Sequence, residues 1–580
     1  MPISPGENPA NPAAGPAAAP AANRPSSKWN GRGFHVLLIL LGGALARIPF
    51  YLAFRPILSG DSEGYSALYA HWVNHHFYLG ERTPVYPFFL GFAQWIASAT
   101  PARTLGARAA YHAIGMQSIA DVLAATLFYF ALGALRIRPR TALAFTLFLV
   151  TIPAVCQYEM NILNMSFSFA WLIVVLSLFL FTVRRIESGK PIFALSVATG
   201  VCASLAILNR PEFLIFLIVL LALVVLMSLI SPRERPAASQ LRKVALLAAL
   251  GATPAILAWM IVMYAGIGQF RITTINGWNK TRTVYNLFDR VDPEDRVIGG
   301  IMAQTYNQEK QSGGVNLREI VWPAERRIIQ NVSTYPGLDI DVTANPSLFH
   351  QQVNRAVQHA FGFVVLPCST KLVDYCWEMM RLKIDTGDYI GRVSDKLARN
   401  NPGAWLANLA TNFAEESFNF NYFAASPSTR DSVIVAAGGG DPIIRRALAN
   451  PISWAAILSV PFLLLTYLAT LACFFLSPIT FLRKHHEHWL RDVAVTALAV
   501  ASIGTLVGTC VLAGLNRVYS LPHLAVFTMC SAYLWENRVR IFAGNARETV
   551  RAAKGIGANE KALVGISERK GTSETDSAFQ

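Results

Sequence analysis

Long apolar blocks, each of about twenty residues with almost no charge, recur along the chain. A block of that length can cross a hydrocarbon core of about 30 Å as a helix. A membrane β-barrel would instead show short segments in which apolar and polar residues alternate. The pattern therefore predicts membrane-spanning helices. Six blocks carry the prediction: Phe34 to Phe54, Leu163 to Val183, Glu212 to Ile230, Val244 to Ile267, Ile452 to Leu476 and Val493 to Leu515.

The composition agrees with this pattern. Hydrophobic residues make up 53% of the 580 residues and charged residues only 15%, whereas about a quarter of a typical soluble chain is charged. The formal net charge of +15 could suggest nucleic acid as a partner. However, Lys and Arg cluster in short connectors and at both chain ends, as they do in cytoplasmic loops. We therefore expect an all-α polytopic membrane protein that binds no nucleic acid.

Every second connector is basic, and this alternation predicts the topology. The connectors expected in the cytoplasm carry the following basic groups: Arg24, Lys28 and Arg32; Arg136, Arg138 and Arg140; Arg184, Arg185 and Lys190; Arg233, Arg235, Arg242 and Lys243; Arg483 and Lys484; Arg538 and Arg540. The segments expected on the opposite face are 55–103, 157–161, 209–212, 269–450 and 516–519. The apolar run within Arg82 to Ala99 is shorter than a span, and we expect a juxtamembrane or re-entrant element there.

The same pattern divides the chain into five parts. We expect a disordered, Ala- and Pro-rich cytoplasmic tail at 1–33, since it cannot bury a core. A transmembrane bundle follows at 34–268 and includes the first outer loop, 55–103. Segment 269–450 is too long for an ordinary loop and should form a mostly helical outer cap. Further spans occupy 451–537, before a basic cytoplasmic tail at 538–580. The helices expected in the cap are Pro346 to Val364, Lys371 to Ile384 and Pro402 to Phe418.

The seven cysteines fall into two groups. Five lie in or beside apolar blocks and should behave as small core residues. Cys368 and Cys376 lie in the polar outer segment, where they could pair in an oxidising compartment or remain free. The five cysteines of the first group are Cys156, Cys202, Cys473, Cys510 and Cys530.

Candidate chemistry begins in the first outer loop, which contains Gly60-Asp61-Ser62-Glu63-Gly64-Tyr65. Asp61 could cap a helix or act as a general base, and the two roles are compatible. Glu63 lies two residues on and would not share a helical face with Asp61. The two carboxylates could hold a metal ion together only if the loop were extended.

Four cations are predicted at or near the outer membrane face. Each could simply extend its long side chain along the apolar surface so that its charged end reaches the lipid headgroups. Together they favour phosphate binding, because the planar guanidinium matches the geometry of a phosphate. Two of them occupy equivalent turns between apolar blocks, in Asn209-Arg210-Pro211-Glu212 and in Asn516-Arg517-Val518-Tyr519. The four cations are Arg82, Arg108, Arg210 and Arg517.

One carboxylate with several guanidinium groups fits glycosyl transfer from a lipid phosphate. The departing group is already a phosphate, so the reaction needs no general acid, and cations can stabilise its charge. A single carboxylate suffices to take the proton of the acceptor hydroxyl. Glycoside hydrolysis, in contrast, normally needs a pair of carboxyl groups.

These motifs resemble the GT-C superfamily of membrane glycosyltransferases, and more closely its protein O-mannosyltransferase and lipid A aminoarabinose transferase branch. The similar stretches are Gly60 to Tyr65, Arg82 to Leu90, Leu208 to Pro211, Asn401 to Leu406 and Arg517 to Pro522. The resemblance implies a bundle of about 10–12 transmembrane helices and an inverting transfer with Asp61 as base. It assigns donor-phosphate contacts to Arg82, Arg210 and Arg517. Further candidates are Glu63, Tyr65, Tyr86, Arg108, Glu159, Asn164 and Tyr519.

The chain departs from the family where a Glu often precedes the fourth span. That place is taken by Glu159 or by Asn164. If it is Asn164, a carboxylate is missing, so no metal ligand is assigned and a divalent metal ion stays an open alternative.

The resemblance also implies partners and a location. They are a membrane lipid, a polyprenyl-phosphate sugar donor and a glycan, lipid or protein acceptor. The location is a bacterial inner membrane with the site facing the periplasm. The alternatives are a secondary transporter and a non-catalytic lipid-binding scaffold. We find no clear sequence repeat of the kind many transporters have.

Overall fold

The computed structural model describes residues 31–53, 56, 60–73, 82–99, 105–230, 236–311, 375–417, 455, 458–475, 489–513 and 521–537. The regular elements within these ranges are helices. Predictions for the two tails, for 346–364 and for Arg517 and Tyr519 lie outside them.

We number the helices in chain order. They are α1 (Arg32–Ala53), α2 (Gly60–Val73), α3 (Val85–Ile96), α4 (Ala107–Ala134), α5 (Pro139–Thr151), α6 (Pro153–Tyr158), α7 (Asn164–Glu187), α8 (Phe193–Asn209), α9 (Phe213–Ile230), α10 (Pro236–Ile267), α11 (Asn276–Lys280), α12 (Arg296–Gln311), α13 (Tyr375–Asn400), α14 (Pro402–Ser417), α15 (Leu458–Phe475), α16 (Trp489–Ala513) and α17 (524–537).

Eight helical stretches within the described ranges are long and apolar enough to cross a membrane. The protein is therefore an all-α, multi-pass membrane protein, as the apolar blocks predict. α8 is apolar but shorter, with 17 residues. α3 has 12 residues, so at 1.5 Å per residue it reaches only about 18 Å, as expected for an element shorter than a span. The eight stretches are Arg32–Leu52, Ala107–Ala134, Pro139–Tyr158, Asn164–Glu187, Phe213–Ile230, Pro236–Ile267, Leu458–Phe475 and Trp489–Leu512.

The outer surface of the bundle is apolar, as contact with lipid requires. Large side chains that a soluble protein would bury are more than half exposed, among them Leu45 on α1, Ile218 on α9 and Leu246 on α10. Inside the bundle, helices approach closely at small residues. A Cβ added to Gly200 on α8 would lie 2.0 Å from the carbonyl oxygen of Ala248 on α10. Such small residues allow close helix packing where no hydrophobic force drives association.

The basic connectors meet at one end of the bundle. Glu187, at the end of α7, accepts from Arg491 Nε at 2.6 Å and from Arg184 Nη1 at 2.9 Å. Glu536 at the end of α17 pairs with Arg138 at 2.8 Å. Asn164, at the other end of α7, belongs to the opposite face. The described connectors after α4, α7 and α17 thus lie at one end of the bundle.

The outer segment packs on that opposite face. Ile384 of α13 is buried in a cluster with Leu208 of α8 and with Trp259 and Met263 of α10. An ion pair of 2.7 Å joins Arg271 to Asp388, and the Trp259 indole donates to the carbonyl oxygen of Ile272 at 2.9 Å.

The second predicted cap helix is longer than the sequence pattern suggested. α13 runs on to Asn400, instead of ending at Ile384. The reason is that apolar positions continue on one face at Ile390, Val393 and Leu397, all of which are buried. The third cap helix, α14, is described from Pro402 to Ser417, and its predicted last residue, Phe418, lies outside the described residues.

Within the described residues, the five cysteines of the apolar blocks form no disulfide bond. Four of them are buried, and Cys202 is partly buried. This confirms them as small core residues. Cys368 lies outside the described residues, and the side chain of Cys376 is not described, so their pairing is untested.

Replacing Gly277 with alanine is expected to loosen α11 from α13. A Cβ at Gly277 would lie 2.0 Å from the carbonyl oxygen of Gly387, so the helices must separate at a cost of about 1–3 kcal/mol. Hydrogen exchange in the purified protein should become faster in both helices and stay unchanged in α4. Gly403→Ala is the matched control, because a Cβ there meets no atom within 4 Å. Equal exchange in both variants would contradict the close contact.

Candidate functional site

The helix that carries Asp61 is fixed by its neighbours. α2 begins at Gly60, so Asp61 and Glu63 lie on helical backbone in its first turn. The extended loop that a shared metal ion would need is therefore not formed. The Tyr69 ring of α2 fills the space at Gly91 of α3, where a Cβ would lie 2.1 Å from the ring. Trp72 lies 5.0 Å from Phe88 between ring centroids, which adds a second contact between the two helices.

Arg82, Tyr65 and Tyr86 form one contiguous group. The Arg82 guanidinium lies 5.0 Å from the centroid of the Tyr65 ring, within the range of a cation–π contact. Tyr65 meets Tyr86 edge to face at 4.9 Å. The buried Tyr86 hydroxyl donates to Gln117 Oε1 at 2.6 Å. These contacts place Arg82 beside the helix that bears Asp61.

Asn209 joins three separate parts of the outer face. Its carbonyl oxygen accepts from the Thr83 hydroxyl at 3.2 Å and from Asn164 Nδ2 at 2.8 Å. Its own amide donates to the carbonyl oxygen of Asn164 at 3.1 Å and to Ser168 Oγ at 2.6 Å. Because Thr83 follows Arg82 and Arg210 follows Asn209, these bonds bring the backbones of the two arginines to the same place.

Arg210 lies almost buried at the start of the turn between α8 and α9, with 5% of its surface exposed. Its Nε forms an ion pair with Glu212. Next to it lies His523, one residue before α17, which is buried and bonded to Ser502 at 2.6 Å. His523 also lies 6.1 Å from the Phe213 ring. Arg210 is thus held by its ion pair with Glu212 and packs beside the buried His523.

Glu159 belongs to a buried network below the outer face. Arg47 of α1 donates to it from Nε at 2.6 Å and also from Nη2. The Ser118 hydroxyl donates to the same carboxylate at 2.7 Å. Asp121 lies beside this group and accepts from Ser166 at 3.0 Å. The Glu159 carboxylate is therefore bound by α1 and α4, beneath the group around Asn209.

Asn164 occupies the first position of the fourth long span, α7. It is bonded to Asn209 in both directions, so it lies with the arginine turn, whereas Glu159 lies with Arg47. The residue at the outer face in this part of the chain is therefore an amide. Arg108 is exposed at the second residue of α4, where its length suits contact with lipid headgroups.

Sequence analysis missed Thr83, Asn209 and the network around Arg47. A signal for the network was present, because Arg47 and Asp121 are charged residues inside apolar helices, and such residues are costly in a membrane. Thr83 and Asn209 gave no comparable signal. Their role depends on which distant backbone atoms lie nearby, and the residue pattern does not encode this.

An acidic group on the outer segment already has protein partners. Asp292, Glu294 and Asp295 lie close enough to share a cation, but Lys396 bonds Glu294 and, at 3.1 Å, Asp295. The Tyr389 hydroxyl donates to Asp295 at 2.6 Å. Burial, followed by this hydrogen bond, raises the pKa of Tyr389 above its ordinary value. We assign these residues to the packing of α13.

Replacing Asn209 with alanine is expected to loosen the start of α7 from the arginine turn. The variant loses the two bonds that its amide donates, and leaves the carbonyl of Asn164 and the hydroxyl of Ser168 without that donor, at a cost of about 1–3 kcal/mol. Hydrogen exchange should rise at the start of α7 and stay unchanged at 82–84, because Thr83 keeps its bond to the backbone carbonyl of residue 209. Asn408→Ala is the control: it removes a partly buried amide that donates to Asn286 at 2.7 Å and to the carbonyl oxygen of Thr283 at 3.1 Å, and it should leave both regions unchanged. Protection of α7 equal to the wild type would show that the Asn209 side chain does not hold it.

Neither a family model nor a curated protein matches the chain. Several solved structures do match this chain. The archaeal oligosaccharyltransferase AglB from Archaeoglobus fulgidus, in complex with an inhibitory peptide and a dolichol-phosphate, has 14% identity and a TM-score of 0.43 over 90% of this chain and 52% of its own. The oligosaccharyltransferase of that organism in complex with Zn and sulfate has 12% identity and a TM-score of 0.37, over 89% of this chain and 51% of its own.

ArnT from Cupriavidus metallidurans, bound to undecaprenyl phosphate, has 14% identity and a TM-score of 0.30 over 85% of this chain and 77% of its own. The chain spans about half the length of the oligosaccharyltransferases it matches. At these identities and TM-scores the activity of this chain has to be inferred from its own residues.

Proposed function

We propose that the protein is a membrane glycosyltransferase that moves a sugar from a polyprenyl-phosphate donor to an acceptor hydroxyl. The observation that carries the proposal is the bonding around Asn209, which unites the Arg82 stretch with the Arg210 turn. Arg82 in turn contacts Tyr65 on the helix that bears Asp61. These contacts support a site that combines two cations and one acid from separate parts of the chain.

The proposed reaction is a single displacement. The acceptor oxygen forms a bond to the anomeric carbon, and the bond from that carbon to the phosphate oxygen breaks, so the configuration inverts. Asp61 takes the proton of the acceptor hydroxyl. The lipid phosphate leaves with its bonding electron pair, and Arg82, Arg210 and Arg517 stabilise the added negative charge.

Arg210 is suited to this role by its surroundings. A guanidinium that is almost buried has lost most of its water, so its attraction for a phosphate is stronger than at an exposed site. Glu212 neutralises it in the absence of donor. A phosphate that arrives there would exchange this carboxylate for its own oxygens, and the bidentate geometry of guanidinium favours the exchange.

No step of this reaction passes through a metal ion. The oxygens of Glu159 are taken by Arg47 and Ser118, and Asn164 offers only an amide. Asp61 and Glu63 do not share a helical face. These residues together do not form the set of carboxylates that a hard divalent cation prefers.

We place the reaction at the outer face of a bacterial inner membrane, in the periplasm. Support comes from the arginine cluster of the connectors at the opposite end of the bundle, which the positive-inside rule assigns to the cytoplasm. The acceptor would be a glycan, a lipid or a protein hydroxyl, held between the bundle and the outer segment.

The test uses the purified full-length chain in lipid nanodiscs with a polyprenyl-phosphate sugar and a panel of hydroxyl acceptors. Release of polyprenyl phosphate together with a glycosylated acceptor supports the proposal. Donor binding without any release supports a lipid-binding scaffold instead. The free lipid phosphate is the readout, because it appears whichever sugar and acceptor are correct.

A secondary transporter is the competing function, and one observation favours it. Arg47, Asp121 and Glu159 are charged residues enclosed within the bundle, as in many transporters. In proteoliposomes, accumulation of solute without release of lipid phosphate would support transport and overturn the glycosyltransferase.

A further inference from the structure

Two carboxyl groups lie side by side in the interior of the bundle. Asp121 lies fourteen residues after the start of α4 and thirteen before its end, so it is near the middle of this span. It is 1% exposed, and Glu159 is fully buried. Oxygens of the two side chains are within hydrogen-bonding distance of each other. Because water does not reach either group, each depends on protein partners for its charge.

Arg47 is committed to Glu159 and does not bond Asp121. Its guanidinium donates to the Glu159 carboxylate from Nε at 2.6 Å and also from Nη2. The remaining nitrogen, Nη1, donates to the backbone carbonyl oxygens of Gly43 at 2.7 Å and of Val150 at 3.1 Å. All three nitrogens of the guanidinium thus have other acceptors, and Glu159 is the carboxylate that Arg47 neutralises.

Asp121 has different surroundings from Glu159. Its Oδ2 accepts from the Ser166 hydroxyl at 3.0 Å, and within the described residues no N–H or O–H group donates to its Oδ1. An ionised carboxylate is strongly disfavoured there, whereas a protonated one needs only an acceptor for its O–H. Glu159 can be that acceptor. Its carboxylate has about four acceptor sites, and the bonds from Arg47 and Ser118 occupy three of them.

The other ionisable groups near the pair add no positive charge. The described groups whose charge would act on it, besides Arg47, are Tyr51 of α1 and Cys156 of α6. Both are neutral at neutral pH and ionise only to anions. From α7 the pair receives the uncharged hydroxyl of Ser166. One guanidinium therefore faces two carboxyl groups, and a second positive charge has to come from a bound cation.

We propose that Asp121 and Glu159 form a buried proton-binding site, in which Asp121 carries the proton on Oδ1 and donates it in a hydrogen bond to Glu159. With this proton bound, one guanidinium faces one carboxylate and the enclosed charge is zero. Without it, two carboxylates in contact would share a single cation, and such like charges disfavour each other. The inference does not depend on the proposed function, because it concerns the interior of the bundle and not its outer face.

The proton site lies beneath the bonds that hold the arginine turn. Ser166, which donates to Asp121, is two residues from Asn164 and two from Ser168 on α7. Both of these residues bond Asn209. The bound proton thus removes an excess charge from the place where α4 packs against the start of α7.

Infrared spectroscopy of the purified full-length wild type, in a detergent without ester groups, tests the site. A protonated carboxylic acid has a carbonyl stretching band that carboxylates lack, and ¹³C in the carboxyl group lowers its frequency. At neutral pH the wild type should show this band. The band should shift when the aspartate carboxyl groups are labelled and stay in place when the glutamate carboxyl groups are labelled. Absence of the band, or a shift on glutamate labelling alone, overturns the inference.

Two variants assign the band to the pair. Asp121→Asn keeps the size of the acid and donates from its amide, and the band should disappear. Glu159→Gln should also abolish it, because the single remaining carboxyl group, Asp121, then loses its proton to neutralise Arg47. The matched control is Asp388→Asn, which removes a carboxylate already paired with Arg271 at 2.7 Å and should leave the band unchanged. A band that remains in Asp121→Asn or in Glu159→Gln overturns the inference.

The choice of salt distinguishes a proton from a metal cation at the same oxygens. Spectra of the wild type are recorded in sodium, potassium and choline buffers of equal pH and ionic strength. A band of equal intensity in all three supports the proton, since choline is too large to enter an enclosed pair. A band seen in choline alone would mean that an alkali cation takes this place, and would overturn the inference.

Discussion

Asp61→Asn is expected to lower the rate of sugar transfer by about 10²–10⁴-fold, which is the usual contribution of a positioned general base. The amide cannot accept the proton of the acceptor hydroxyl. The KM for the donor should change little, because the donor phosphate is bound by the arginines. Release of polyprenyl phosphate by the purified protein in nanodiscs measures both quantities.

This substitution also separates catalysis from helix capping. Asp61 lies in the first turn of α2, and asparagine caps a helix as well as aspartate does. Asp61→Asn should therefore leave the stability almost unchanged, apart from about 0.3–1 kcal/mol for a charge near a helix N-terminus. Glu63→Gln makes the same change of charge two residues on and should keep the rate within about threefold. If Asp61→Asn transferred sugar at a rate near that of the wild type, Asp61 would not be the general base.

Arg47→Met is expected to lower the free energy of unfolding by about 3–5 kcal/mol, as does breaking other buried ion pairs. Arg47 is 4% exposed and Glu159 fully buried, so the variant leaves a carboxylate that neither water nor another cation reaches. Unfolding of the purified protein from mixed micelles, followed by circular dichroism, measures the change.

Two further variants make this result specific to the buried pair. Replacing both Arg47 and Glu159 with methionine should recover most of the loss, because no charge then remains uncompensated. Arg138→Met removes an exposed cation, 83% accessible and 2.8 Å from Glu536, and should cost less than about 1 kcal/mol. If Arg47→Met cost no more than Arg138→Met, the Arg47–Glu159 pair would not stabilise the bundle.

Most of the described membrane-spanning helices could be predicted from the sequence. The blocks from Phe34 to Phe54 and from Leu163 to Val183 correspond within a few residues to the helices Arg32–Ala53 and Asn164–Glu187. The short element after Arg82 was also expected. These predictions succeed because the bilayer fixes the length and polarity of each span, so the information is local in the chain.

The candidate site could be predicted only in part. The sequence identified Arg82 and Arg210 as cations on the outer face, but gave no means of placing one beside the other. The structure does so through the Thr83 and Asn164 bonds to Asn209. Arg517 and Tyr519 lie outside the described residues, so their place in the site stays a prediction.

The two candidates for the place before the fourth span were separated by the tertiary structure alone. Glu159 and Asn164 are five residues apart, and nothing in their neighbours distinguishes them by pattern. In the folded chain the first is bonded to Arg47, and the second is bonded to the buried Asn209 beside the arginine turn. The difference arises because the chain turns between α6 and α7, which directs the two side chains to different partners.

The sequence by itself determined that this chain crosses a membrane many times. That follows from a hydrophobic requirement which each span meets independently. Only the tertiary structure decided which polar side chains share a site and which are neutralised within the bundle. Such pairings depend on hydrogen bonds and ion pairs shorter than about 4 Å between residues far apart in the chain, and helix packing alone sets those distances.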